Sequence, residues 1–454
     1  MPTDLDELFQ GLSRQADAIP IAPPEAARQR GRQLRRSRLV AAAVAVCLVA
    51  GGVSGLVNRP ARQADPADTP SHRELPDVGS PIDLGKPVTV DYSMTAGGRV
   101  FSLWQATDGT INLLAADLHT GARAWIARRP AKPDTFPYMY VMSQGIALVT
   151  EGKLSVYDNA DGRLRWELPV PEADRFLVQS RAVVRWSAET ERIEAFDWAG
   201  GKRLWSQATP GEKPRGLTTL RSGDEFRPED LIGEQVLRIS AAGQARVMDI
   251  DTGTAGLTLS LPGPAVDDRM VMAVKGWVIS QETQPDRSGY RLHATDTRTG
   301  TTRMIADRAI GHTLSHAGMC GTDRFCVLDA QDAKTTLTAI DLTTGTQVWE
   351  VPAPDHASSI ESHGGYVLTV GGSGALYDRN GQVVYRAPDS AVAWLTADSL
   401  LRVAGGGPVE RIRVADGHVE PVGTIPLQIG ACAAVPDRLA CPTSDGLRIW
   451  SLTG

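Results

Sequence analysis

Hydrophobic and polar positions divide this chain into unequal parts. From Leu39 to Val57 it reads LVAAAVAVCLVAGGVSGLV, nineteen residues without a charge. As a helix this stretch would be roughly 28 Å long, close to the hydrocarbon thickness of a bilayer, and it is predicted to be a transmembrane helix. In the tail before it (1–38), Leu5, Leu8, Phe9 and Leu12 fall at helical spacing behind a capping Thr3, and Pro20, Pro23 and Pro24 interrupt the pattern. Residues 58–80 are rich in Pro, Ala and charge, with almost no large apolar residue, and read as a disordered linker. Beyond residue 80, short β-type runs punctuated by Gly, Asp, Asn and Thr replace helical periodicity, so the body 81–454 is expected to be all-β.

Within the body one unit recurs. An apolar strand ends at an aspartate, a Thr/Asn/Gly turn follows, and a Trp or smaller apolar residue comes shortly after. Asp117 to Gly121 and Trp125, Asp158 to Gly162 and Trp166, and Asp197 to Trp205 are three instances. Asp249 to Gly253, Asp296 to Gly300, Asp341 to Gly345 and Trp349, and Asp378 to Gly381 continue the series, and Val414-Ala415-Asp416-Gly417 is a degenerate eighth. The key positions lie 36 to 52 residues apart. Such a period, with several short strands per unit, predicts a β-propeller, because no blade can bury both faces alone. About eight four-stranded blades are expected, within a range of seven to nine. The chain stops soon after Gly446–Trp450, before an outer strand, so Pro81–Tyr92 is expected to pair with Leu447–Leu452 and close the ring.

Charge then sets orientation. Arg28, Arg30, Arg32, Arg35, Arg36 and Arg38 precede the apolar stretch, against Arg59, Arg62 and Arg73 after it. This bias predicts a cytoplasmic tail and an extracytoplasmic body, anchored once in the cytoplasmic membrane. A net charge of −6 excludes nucleic-acid binding by bulk electrostatics. Of the five cysteines, Cys47 lies in the apolar stretch and the others form close pairs, Cys320/Cys326 and Cys432/Cys441. Each pair brackets a hairpin turn, and an exported location would keep both as disulfides; the spacing lacks the CxxC of a zinc knuckle.

The DxxTGxxxW turn resembles the repeats of the PQQ-like (quinoprotein-type) β-propeller family, over residues 81 to 454. That family includes quinoprotein alcohol dehydrogenases and cofactor-free assembly scaffolds, so the resemblance implies a fold more than a function. Its enzymes carry adjacent cysteines facing the quinone and an acidic calcium site. This chain has no adjacent cysteines, and no calcium carboxylates can be matched residue by residue. PQQ and calcium are therefore not supported, and no cofactor, metal or catalytic residue is assigned.

The remaining chemistry is sparse. His312 and His316 fall on an expected inner strand, and Asp355, His356, Glu361 and His363 near the start of the next blade. They could converge on the axial channel as metal ligands, though channel or loop histidines explain them more simply. Gly405-Gly406-Gly407 lacks the strand–loop–helix context of a phosphate loop. The sequence thus points to a protein- or ligand-binding module, with a partner protein or cell-envelope ligand on a propeller face. A membrane-bound quinoprotein dehydrogenase is the alternative from the enzyme class. A third reading is an anti-sigma-like signalling protein with a cytoplasmic regulator at the tail, although the tail lacks an HxxxCxxC zinc motif.

Overall fold

The computed structural model describes residues 73–453 apart from 86, 132–136, 151, 222–233, 263–270, 275, 284–288, 310, 333, 356, 372, 388–390, 405–406, 427 and 429–430. The tail, the apolar stretch 39–57 and most of the expected linker lie outside them. Among the described residues no helix is long and apolar enough to cross a membrane.

The described body is all β. Its strands form successive antiparallel meanders, each in the order first to fourth, as in the blades of a propeller. Blades 1 to 8 span residues 87–129, 138–169, 175–208, 214–260, 271–308, 313–352, 357–387 and 391–424, and blade 9 spans 433–451. Six blades are separate four-stranded sheets, blades 4 and 5 join into one eight-stranded sheet, and blade 9 has three strands of its own. The total of nine is the upper end of the expected range. The Asp–Gly turn marks only the junction of third and fourth strands, and blade 9 lacks that junction.

In blades 1 to 7 an aspartate organises the turn, and in blade 8 its position is held by Arg413. In blade 1, Asp117 Oδ1 accepts hydrogen bonds from the His119 and Thr120 amides (2.9 and 2.8 Å) and from the Thr120 hydroxyl (3.0 Å). Gly121 follows at φ +69°, a conformation that L side chains disfavour. These bonds, the Thr120 amide foremost, hold the Asp117 carboxyl below the usual carboxylate range.

The same glycines receive the next layer of packing. The Trp125 indole lies on Gly162, Trp166 on Gly201, Trp205 on Gly253 and Trp349 on Gly381. Each indole N–H donates to the carbonyl one residue past the turn aspartate: Asn159 (3.0 Å), Trp198 (3.1 Å), Ile250 (2.7 Å) and Arg379 (3.0 Å). The expected Trp therefore both packs on and bonds to the following blade. In blades 4 and 5 the same position holds Leu257 and Met304, which are 47 % and 52 % exposed; there the smaller residue does not take over the Trp's burial.

Ring closure follows the expected logic with a different segment. The edge of Gly446–Ser451 is met by residues 76–82: Val78 N–H donates to Ile449 O (2.7 Å), Ser451 N–H to Pro76 O (2.9 Å), and Ile82 and Leu447 exchange two bonds (3.0 and 2.9 Å). Pro87–Ala96, by contrast, is the first strand of blade 1. Only the start of Pro81–Tyr92 thus serves the clasp, and residues 73–80, read as linker, form the rest of it. The physical reason is reach: one short segment cannot fill the outer edge of blade 9 and the inner edge of blade 1 at once. Leu75 and Ile82 bury their side chains in two clusters, one of blades 8 and 9 and the other of blades 9 and 1. Glu74 also bridges, in parallel, to Thr424 of blade 8.

Candidate functional site

The first strands of the blades neighbour one another, and blade 9's first strand lies against that of blade 1. They line the axis. In an up-and-down meander, the second-to-third turns and the fourth-to-first connections gather at one end of the ring, where every first strand begins.

At that end, blades 1 to 3 present an aromatic wall. Tyr92 is on the first strand of blade 1, and Tyr138 and Tyr140 lie two residues apart on the first strand of blade 2. The Tyr92 and Tyr138 rings are 6.4 Å apart and tilted by 48°. Tyr138 is 54 % exposed, a high value for a ring held among others. Tyr140 is more enclosed, and burial, with the two neighbouring phenols, pushes its hydroxyl above the usual phenol range. Beside the wall is a cavity of about 370 Å³, bordered by Val149, Val170, Glu172 and Phe176; Val149 is the cross-strand partner of Tyr138. A second cavity of about 190 Å³ shares Arg175 and Phe176 and reaches Leu217 and Val271 of blades 4 and 5. The Arg175 guanidinium is fixed by the carbonyls of Arg215 (2.6 Å), Asp174 (2.9 Å) and Glu172 (3.0 Å). The mouth therefore offers aromatic faces, apolar walls and fixed polar groups, which can hold a ligand by stacking and burial.

The residues singled out from the sequence fall elsewhere. Thr313–Met319 and Ala357–His363 are first strands, so His316, Glu361 and His363 do lie on the axial layer. The contacts of each differ. His316 Nδ1 accepts the Ile360 amide of blade 7 (3.2 Å). His363 stands edge-on to Trp394 of blade 8, with ring centres 5.8 Å apart. Glu361 is open to solvent yet surrounded by protein, which pushes its carboxyl above the usual range. The Asp355 carbonyl accepts from Ser373 (3.0 Å), and His356 lies outside the described residues. His312 Nδ1 is 2.5 Å from Asp329, whose side chain is 1 % exposed. Arg308 approaches the same carboxylate (3.8 Å) and pairs with Glu350 (2.7 Å), tying blade 5 to blade 6. Among the described residues, no three His, Cys, Asp or Glu side chains are grouped to hold a metal ion.

Both expected disulfides are present. Cys320–Cys326 links the first two strands of blade 6 and Cys432–Cys441 those of blade 9, with Cα–Cα distances of 5.5 and 4.3 Å. Each closes a short loop, worth about 2–3 kcal/mol by chain entropy.

The tyrosine wall carried no motif. Tyr92 and Tyr138 lie 46 residues apart, and only the stacking of one blade on the next brings them together. The available signal was weak: two tyrosines at alternate positions of Tyr138–Met142, both on one strand face.

Residues 87–212 match a model of the PQQ-like repeat family described as outer membrane protein assembly factor BamB. No curated protein matches the chain. Among solved structures, the computationally designed Ika8 protein is 15 % identical, covering 83 % of this chain and 99 % of its own, with a TM-score of 0.46. BamB from Moraxella catarrhalis is 15 % identical over the same shares, with a TM-score of 0.39. A eukaryotic initiation factor is 10 % identical, covering 76 % and 91 %, with a TM-score of 0.46.

Proposed function

We propose that this PQQ-like repeat propeller is a protein-interaction module, held outside the cytoplasm by the single helix 39–57. A partner protein docks at the mouth of the axial channel. The observation that carries the reading is the tyrosine wall of Tyr92, Tyr138 and Tyr140, open to solvent at Tyr138, beside the cavity at Phe176. Tyrosine offers a large rigid contact surface at low entropic cost and is enriched at binding hot spots. The family model agrees in kind, since the protein it describes is an assembly factor. The arginines before Leu39 support a cytoplasmic tail, which could contact a regulator there while the propeller engages its partner outside.

Photo-crosslinking in intact cells tests this. A photoreactive phenylalanine analogue at Tyr138 of the full-length chain is expected to give a discrete adduct, lost when Tyr92 and Tyr140 are both changed to serine. The same analogue at Val348, on an outer strand, is expected to give none of that species. An adduct identical at both positions, or none at Tyr138, would refute the assignment.

A further inference from the structure

The fourth strands form the outer rim, and each leaves a row of backbone N–H and C=O groups facing outward. Edges of this kind are normally guarded by charge or proline. Blade 1 ends in RAWIARR, blade 2 in LRWELP, blade 3 in RLWSQA, blade 5 in TRMIADR, blade 6 in QVWEVP, blade 7 in VVYRA and blade 8 in VEPVGT. The clasp on blade 9 contains Asp77 and Pro81. Blade 4 is the exception. Its fourth strand, Ala255–Ser260, reads AGLTLS, with neither charge nor proline, and Gly256, Leu257 and Thr258 are exposed in succession. Among the described residues it pairs only with Gln244–Asp249, and it ends the eight-stranded sheet whose other end is the charged strand Thr302–Arg308.

We propose that this strand pairs antiparallel with the same strand of a second copy of the chain, across a two-fold axis. Three observations favour a second copy over a foreign strand. Self-pairing sets like residues near like, which would oppose arginines or glutamates on most other rims but opposes no charge here. A two-fold pairing consumes both unguarded edges and closes, whereas an added foreign strand leaves a new edge. It also sets Leu257, 47 % exposed at the position where blades 1, 2, 3 and 6 lay a tryptophan on the next blade, beside its own copy. Two eight-stranded sheets would then become one continuous sheet. The surface is separate from the tyrosine wall and stands or falls independently of it.

The test uses the full-length chain in its native membranes, with Cys47→Ser to remove the one cysteine outside the disulfides. Thr258→Cys is treated with a bismaleimide long enough to tolerate small register differences. A dimer on a reducing gel is expected, with about tenfold less from Gln347→Cys on the rim of blade 6. Adding Leu257→Lys, which places like charges near the axis, is expected to lower the dimer cross-linked through position 258 about tenfold. Leu257 is exposed, so this change leaves the core intact; tryptophan fluorescence of the variant checks that it has folded. Equal cross-linking at 258 and 347, no dimer at 258, or a dimer indifferent to the lysine in a folded variant would each overturn the proposal.

Discussion

Alanine at Gly162, compared with alanine at Gly300, measures what the tryptophan contact between blades contributes. Both glycines close the turn after a third strand, at φ +70° and +73°. An alanine at either site therefore carries the same left-handed penalty, about 1–2 kcal/mol. The neighbours differ. A Cβ on Gly162 would lie 2.4 Å from Trp125 Cε3 and 2.6 Å from Cδ2, whereas on Gly300 the nearest atom is Leu257 Cδ2 at 3.6 Å, an ordinary contact. Trp125 cannot swing aside freely, because its indole N–H is held by the Asn159 carbonyl at 3.0 Å. Overpacking of this kind adds about 1–3 kcal/mol. The expected losses are about 2–5 kcal/mol for Gly162→Ala and about 1–2 kcal/mol for Gly300→Ala. Urea unfolding of the full-length protein, followed by tryptophan fluorescence, reads the difference as a shift in midpoint at unchanged slope. Equal shifts would mean that the indole–glycine contact adds nothing to blade cohesion, and the packing argument would fail.

Two further outcomes concern the clasp. Deleting residues 73–84 should destabilise the ring cooperatively, since it removes the buried Leu75, Ile82 and Leu84, each worth about 2–5 kcal/mol when truncated. Deleting 60–70 should leave the urea midpoint unchanged, and equal midpoints for the two deletions would contradict the observed closure. Acid should loosen the same edge: Arg448 holds the Asp445 carboxyl at about 2 and also pairs with Asp77 (3.1 Å). A carboxylate whose folded value lies below its unfolded value of about 3.9 stabilises fully above that value and loses the contribution as pH falls toward 2. Asp445→Asn should flatten this part of the stability–pH curve between pH 4 and 2 (roughly). An unchanged curve would show that Arg448 does not couple the clasp to pH.

The sequence by itself determined the local rules. An aspartate with a glycine three or four residues on makes one turn whatever surrounds it, since its hydrogen bonds stay within five residues; seven such turns and a degenerate eighth foretold the repeat array. The disulfides were legible for the same reason, because cysteines six and nine residues apart can meet across one hairpin. Tertiary structure decided everything that depends on which blade lies beside which. The clasp shifted from Pro81–Tyr92 to 76–82 because two edges, on blades 9 and 1, competed for one segment of chain. The histidines expected on the axis went separate ways because each found a neighbour in its own or the following blade: His312, which falls just before the strand Thr313–Met319, an aspartate; His316 a backbone amide; His363 a tryptophan ring. Tyr92 and Tyr138 became one wall only through blade stacking. Contacts across tens of residues have no local signature, so periodicity can announce that blades stack without stating which side chains their stacking brings together.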